Sequence, residues 1–190
     1  MANVDRANGF RPVKSLIGAP WTSLVRAYPV SDTGRAAGDA GTIYIGSVVN
    51  LDSNGDIKPA ATTEAVLGVV VAVGSDSSET ALNTDNTMRY FNPDNLSKRH
   101  LLPTEGGYAG VVPADDCLFS VQSSDTGKAI GSTGAFGTNS GNTTSGNSTV
   151  VIGAGADVTV VEQDARPDND TTAANARYIV KFNTVGYNAV

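Results

Sequence analysis

The single histidine and the single cysteine are the residues best suited to nucleophilic chemistry in this chain. His100 lies in a polar stretch, and Cys117 directly follows Asp115 and Asp116. A thiol beside an imidazole that a carboxylate orients would form a nucleophile and base pair. Cys117, however, begins an alternating strand pattern, where a free cysteine is usually a small buried hydrophobe. We therefore expect no catalysis at this pair.

Two short motifs begin like ligand sites but depart from them. Asp52-x-Asn54-x-Asp56 starts like a calcium loop, but its next position is isoleucine and its twelfth is threonine rather than glutamate. We expect a tight turn there, with Asn54-Gly55 at the centre of a type I′ hairpin. Gly127-Lys128 lacks the earlier glycine of a phosphate-binding loop. The sequence therefore predicts no metal and no cofactor.

Paired carboxylates are the remaining catalytic candidates. Asp115/Asp116 and Asp168/Asp170 could act as acid and base in a glycosidase. Acidic turns are more often solvated surface features, and aromatic residues, at 6%, are too few and scattered to suggest a sugar-stacking ridge. We expect a protein that is not an enzyme.

The composition favours strands as the elements that carry these residues. The 190 residues include 29 Val and Ile against 9 Leu, and 21 Gly. Branched side chains lose rotamer freedom in helices and pack well on a pleated surface. The pattern predicts eight to ten short strands separated by turns, and no helix of more than two turns. It indicates an all-β barrel or sandwich with little helix.

The first 30 residues differ from the rest and are predicted to form an extended arm, which either packs on the protein's own body or becomes ordered on a partner surface. Prolines recur there at intervals of eight or nine residues, and large apolar residues stand between them. Residues 1–30 carry a formal charge of +3, whereas residues 31–190 carry −9. This opposition predicts an arm that docks on an acidic surface. The arm residues expected to contact a partner are Phe10, Arg11, Lys14, Trp21, Arg26 and Tyr28.

Residues 31–190 are predicted to form a single β-rich body. Within it, 17 of the 19 residues at 131–149 are Gly, Ser, Thr or Asn, so we expect an exposed loop there. Residues 171–176 are predicted to form one helical turn. The apolar run at 66–73 predicts a strand that is buried on both faces or lies across a barrel.

Charge and cysteine content restrict which partners and which cellular compartment the sequence allows. A net charge of −6 argues against direct binding of nucleic acid, because phosphate neutralisation needs clustered Lys and Arg. One cysteine excludes an internal disulfide. The longest apolar run, about nine residues, is too short to cross a bilayer, and the first ten residues show no signal-peptide core. We expect synthesis in a cytoplasm and no membrane partner.

Several segments resemble one family. The opening MANVDRANGFRPV (residues 1–13) is similar to the start of small structural proteins of tailed bacteriophages. GTIYIGSVVNLDSNGDIKPA (41–60), followed by Leu-Gly-Val at 67–69, resembles head decoration proteins, in which a unit of glycine, strand, turn and Pro-Ala precedes such a stretch. RPDN (166–169) and NARYIVKFN (175–183) also resemble these proteins.

The resemblance covers most of the chain and is patchy at 74–107 and 131–149. It implies a capsid decoration, or cement, protein with a barrel-like or β-tulip body. Such proteins, including the lambda-type ones, sit on the outer surface of a phage head, usually as trimers at threefold or quasi-threefold sites. Their arms lie along the capsid and can add a strand to a capsid sheet. The implied partners are the major capsid protein and other copies of this chain.

The resemblance thus implies a virion structural protein, made in the cytoplasm of a bacterial host, that binds and cements an assembled capsid. The alternative is an exposed head knob that binds host surface glycans through residues 75–100 and 131–149.

Overall fold

The computed structural model of the chain describes residues 3, 9–31, 35, 41–75, 100–104, 106–136 and 150–186. These residues form an all-β structure, with a 3₁₀ turn at Trp21–Leu24. The strands of this described part are β1 (Arg11–Ser15), β2 (Arg26–Val30), β3 (Ile43–Tyr44), β4 (Val48–Leu51), β5 (Ile57–Pro59), β6 (Gly68–Ser75), β7 (His100–Leu101), β8 (Gly107–Pro113), β9 (Cys117–Gln122), β10 (Thr133–Phe136), β11 (Val150–Ile152), β12 (Val158–Gln163) and β13 (Arg177–Phe182).

The strands form two main antiparallel sheets and one small pair. Sheet A has the order β1-β9-β13-β12-β10-β11, and sheet B has the order β2-β8-β6-β4-β5. Strands β3 and β7 pair separately. The all-β prediction is confirmed. Sheet A curls, because a parallel bridge joins Val150 of β11 to Ser123 just after β9, but its strands do not close into a barrel.

Sheet B lies between two hydrophobic clusters. The first cluster joins it to sheet A and includes Val69 and Val112 from sheet B and Phe119 and Val180 from sheet A. The second cluster lies on the other face of sheet B and extends to the β3–β7 pair. Strand β6 contributes Val69 to the first cluster and Val70 to the second, and both are 0% exposed. The prediction of a strand buried on both faces is confirmed.

The structure corrects three local predictions. The low-complexity block at 131–149 begins with strand β10, and Phe136 is buried, while residues 137–149 lie outside the described residues. Residues 171–176 form turns rather than a helical turn. In the Asn54-Gly55 turn the glycine alone has a positive φ, +86°, so the turn is not type I′. Each correction concerns a short segment whose conformation depends on its neighbours.

Phe10 is part of the core, which corrects its assignment as a partner contact. It is 1% exposed, and its ring lies 5.2 Å from that of Phe182, which also contacts Phe119 at 5.4 Å. The backbone N–H of Phe10 donates to the carbonyl oxygen of Gly46 at 3.0 Å. Gly9 permits this approach, since a Cβ at that position would lie 2.5 Å from the same oxygen. The segment at Gly9 and Phe10 is therefore fixed to the body.

Substitution of Phe10 tests this attachment. We expect Phe10→Ala to lower the free energy of unfolding by about 3–5 kcal/mol, because it leaves a cavity among aromatic rings. Urea denaturation followed by Trp21 fluorescence measures the change. Val13→Ala, which truncates a side chain that is 39% exposed, is the matched control and should change the free energy by less than about 1 kcal/mol. Equal effects of the two substitutions would contradict the assignment of Phe10 to the core.

Candidate interaction surface

Residues 9–31 run along both main sheets and do not form a separate arm. Strand β1 is an end strand of sheet A, paired with β9, and β2 is an end strand of sheet B, paired with β8. The 3₁₀ turn connects the two edges. The described residues of the predicted arm thus pack on the body, which is one of the two alternatives that the sequence leaves open.

The six predicted contact residues divide into two groups. Phe10 is buried, and Trp21 and Tyr28 are half-buried and pack against the first and second clusters. Arg11, Lys14 and Arg26 are exposed. The three aromatic residues thus stabilise the body, while the three cations lie on the surface, where they can contact a partner.

An exposed apolar strip lies beside two of these cations. Val13, Leu16 and Ile17 are 39%, 54% and 59% exposed. All three lie in the seven-residue segment that begins with the exposed Arg11. Large apolar side chains exposed together suggest a binding surface more strongly than single exposed ones do. We call residues 11–17 the edge strip.

The backbone of the edge strip is held in place by hydrogen bonds to the body. Strand β1 pairs with β9, and the N–H of Leu16 donates to the carbonyl oxygen of Asp116 at 2.8 Å. Within the strip, the N–H of Ile17 donates to Oγ of Ser15 at 3.2 Å. The pairing of β1 with β9 shifts between Pro12 and Lys14, which indicates a bulge at Val13. The apolar side chains are therefore presented from a fixed backbone.

The charge of the edge strip is opposite to that of the whole chain. The edge strip contains Arg11 and Lys14 and no acidic residue, in a chain of net charge −6. Lys14 lies 3.9 Å from Glu162, but both side chains are at least half exposed, so this ion pair contributes little stability. These cations are therefore accessible to an acidic surface of a partner.

Prolines mark three of the sheet edges. Pro12 lies in β1, Pro29 in β2 and Pro59 in β5, and each of these strands is the end strand of its sheet. Proline has no backbone N–H to donate to an added strand. The edges are therefore poorly suited to accept a further strand, and a partner would meet side chains rather than a free ladder of N–H groups.

The structure does not bring the candidate catalytic residues together. His100 lies in β7, where its ring is 5.6 Å from that of Tyr44, while Cys117 begins β9 in sheet A. Cys117 is 0% exposed, and burial, followed by the charges of Asp116 and Asp115, raises its pKa to about 11. The thiol is thus protonated at neutral pH, which suits packing rather than nucleophilic attack.

The acidic motifs use their oxygens for turns. Oδ1 of Asp52 accepts N–H groups from Asn54 at 2.8 Å and Asp56 at 3.0 Å, as the turn prediction requires. Oδ1 of Asp170 accepts the N–H of Thr172 at 3.0 Å and its hydroxyl at 2.6 Å, and these bonds lower the pKa of Asp170. Among the described residues no group of three or more His, Cys, Asp and Glu is placed to hold a metal ion.

The residues predicted as contacts include Arg11 and Lys14 of the edge strip but none of its exposed apolar residues Val13, Leu16 and Ile17. Apolar residues in a proline-rich segment look alike whether they pack inward, as Phe10 does, or outward, as Ile17 does. In the described part of the chain, no helix is long and apolar enough to span a membrane.

Comparison with known proteins gives no relative. No family model, no curated protein and no solved structure matches the chain.

The environment of Cys117 predicts slow alkylation. At pH 8 a thiol of pKa about 11 is ionised to roughly one part in a thousand, and only the thiolate reacts. We expect iodoacetamide to label the native protein far more slowly than the urea-unfolded protein, as followed by intact mass. Native labelling at the rate of the unfolded chain would show that the thiol is accessible and ionised, contrary to the structure.

Proposed function

We propose that this protein is a non-enzymatic structural protein that binds the outer surface of an assembled phage capsid and decorates or cements it. The observation that carries the proposal is the edge strip, where exposed apolar and cationic side chains lie together on an otherwise acidic protein. The choice of a capsid as the partner depends on the resemblance to head decoration proteins. The major capsid protein is the proposed contact.

The proposed contact is made by side chains. Leu16 and Ile17 would enter an apolar depression, and Arg11 and Lys14 would face carboxylates around it. The prolines of β1 and β2 disfavour the strand addition that the resemblance implies, because they remove donors from those edges. Apolar contacts would supply most of the affinity, and the cations would supply orientation and a faster association rate.

Cementing would follow from mass action. A protein that binds the assembled shell and not the free subunits stabilises the shell by RT ln(1 + [L]/Kd) at each site. Assembly into trimers, which the resemblance implies, would place three edge strips on the shell at once. The second and third contacts would then be intramolecular, which increases the overall affinity.

Substitution of the apolar residues tests the proposal. We expect the double substitution Leu16→Asp, Ile17→Asp to abolish binding to purified cognate heads that lack this protein, measured by cosedimentation. Both side chains are already exposed, so we expect a change of less than about 1 kcal/mol in the free energy of unfolding.

Ile130→Asp is the matched control for this substitution. Ile130 is 66% exposed but lies in the turn before β10, outside the edge strip. We expect this variant to bind heads like the wild type. Full binding by the Leu16→Asp, Ile17→Asp variant would contradict the proposed surface, whereas no binding of the wild type to any head would contradict the function.

Charge reversal tests the electrostatic part separately. We expect Arg11→Glu with Lys14→Glu to slow association with heads and to weaken the dependence of binding on salt, because attraction to an acidic surface is lost. Binding at a series of NaCl concentrations measures this effect. An unchanged salt dependence would show that these two cations do not face the partner.

A further inference from the structure

A lysine and an asparagine lie opposite each other in the β4–β5 hairpin. The pairing places Asn50 of β4 directly across from Lys58 of β5. The N–H of Ala60 donates to the Val48 carbonyl at 3.0 Å, and the N–H of Asp52 donates to the Asp56 carbonyl at 2.8 Å. Since every second pair of an antiparallel ladder is hydrogen-bonded, Asn50 and Lys58 form such a pair between these two. The Cα atoms of such a pair are about 5.5 Å apart, and both side chains project from the same face.

That face borders the core between the two sheets. Val48, two residues from Asn50, and Ala60, two residues from Lys58, both belong to the first cluster. Asn50 itself is 4% exposed, although it is polar, while the Lys58 side chain is 40% exposed. The carboxamide is thus buried at the rim of the core, and the Lys58 side chain projects from the same face and is partly exposed to solvent.

Glu64 contacts both side chains. Its Oε1 lies 3.3 Å from Nζ of Lys58, its Oε2 accepts the N–H of Ala61 at 3.0 Å, and it also hydrogen-bonds the side chain of Asn50. Since an ionised carboxylate only accepts hydrogen bonds, Asn50 must donate to it through Nδ2. Oδ1 of Asn50 accepts the N–H of Leu51 at 2.8 Å. The carboxylate therefore touches both the amine and the amide nitrogen.

We propose that Lys58 and Asn50 form an intramolecular isopeptide bond, with Glu64 transferring the proton. The Lys58 ammonium first loses one proton to water. Nζ of the resulting amine then attacks Cγ of Asn50, and the C–Nδ2 bond breaks. Glu64 accepts a proton from Nζ and delivers it to Nδ2, which leaves as ammonia. One amide replaces another, so the reaction needs no oxidant, reductant or co-reactant.

The local contacts match the needs of each step. The N–H of Leu51 on Oδ1 stabilises the negative charge that develops on this oxygen during attack. Burial raises the pKa of Glu64, but the N–H of Ala61, the charge and hydrogen bond of Lys58 and the hydrogen bond of Asn50 outweigh it, so the net shift is downward. Glu64 is therefore ionised at neutral pH and can act as a base.

The bond would fasten an outer strand. β5 is an end strand of sheet B and pairs within that sheet with β4 alone. A covalent link between Asn50 and Lys58 would keep β5 attached to β4 even when the ladder hydrogen bonds open. This site lies on β4 and β5, away from the edge strip on β1, so the inference does not depend on the proposed function.

Intact mass spectrometry of the full-length protein tests the inference. We expect a fraction of the purified wild type to be lighter by one ammonia, and this fraction to grow during incubation at pH 9. An attacking amine must be neutral, and below the pKa of an amine its neutral fraction rises about tenfold per pH unit. Protein that keeps its full mass after this incubation would overturn the proposal.

Cleavage before aspartates locates the change. Cuts at Asp52 and Asp56 separate Asn50 from Lys58, so the cross-linked protein should yield a branched peptide of residues 39–51 joined to 56–75. Asn54-Gly55 can also lose ammonia by forming a succinimide, but that change would stay in the peptide 52–55. Ammonia loss confined to 52–55 would overturn the proposal.

Three variants separate the roles. Lys58→Arg keeps the positive charge but removes the nucleophilic amine. The peptides that contain residues 50 and 58 should then show no loss of ammonia. Glu64→Gln keeps the shape but removes the base and should slow the reaction at least tenfold. Asn54→Ala is the matched control and should form the branched peptide like the wild type. An undiminished rate in Glu64→Gln, with its fold confirmed by circular dichroism, would overturn the role of Glu64.

Discussion

The burial of sheet B on both faces is the constraint on which the rest of the structure depends. Its central strands β6 and β8 pair over their full lengths, and Val69, Val70, Val111 and Val112 are all at most 1% exposed. Packing is close enough that a Cβ on Gly68 would lie 2.2 Å from the carbonyl oxygen of Val112. Sheet A must cover one face, and the second cluster must be covered by other segments. Residues 9–31 help to complete both sheets, which explains why this segment belongs to the body.

The strands that the sequence predicted are those whose burial leaves a clear pattern. β6 contains an apolar run at 69–73, β9 is buried along its whole length, and β13 alternates between buried and more exposed residues. Strands β1 and β2 were missed because each contains a proline, which normally argues against a strand but is tolerated at a sheet edge. β7 has two residues and β10 begins a low-complexity block, so neither has a periodicity of its own. In these cases the partner strand decides the structure.

The interaction surface was only partly predictable for a similar reason. Charge is a property of residue type, so the sequence alone indicates Arg11, Lys14 and Arg26 as surface cations. The direction of an apolar side chain is a tertiary property, and Phe10 and Ile17 take opposite directions within one segment. The group Lys58, Asn50 and Glu64 gave no sequence signal, because its residues are common and come together only through the register of β4 with β5. Geometry, rather than residue type, makes that group chemically notable.

The prolines at the sheet edges have a consequence for the protein in bulk. Sheets that end in free donors can stack edge to edge, and such stacking leads to fibres when many copies are made together. Pro12, Pro29 and Pro59 each remove a donor from an end strand, and the bulge in β1 twists that edge further from a flat template. The chain is thereby suited to remain dispersed at high concentration while it keeps exposed apolar side chains at one edge.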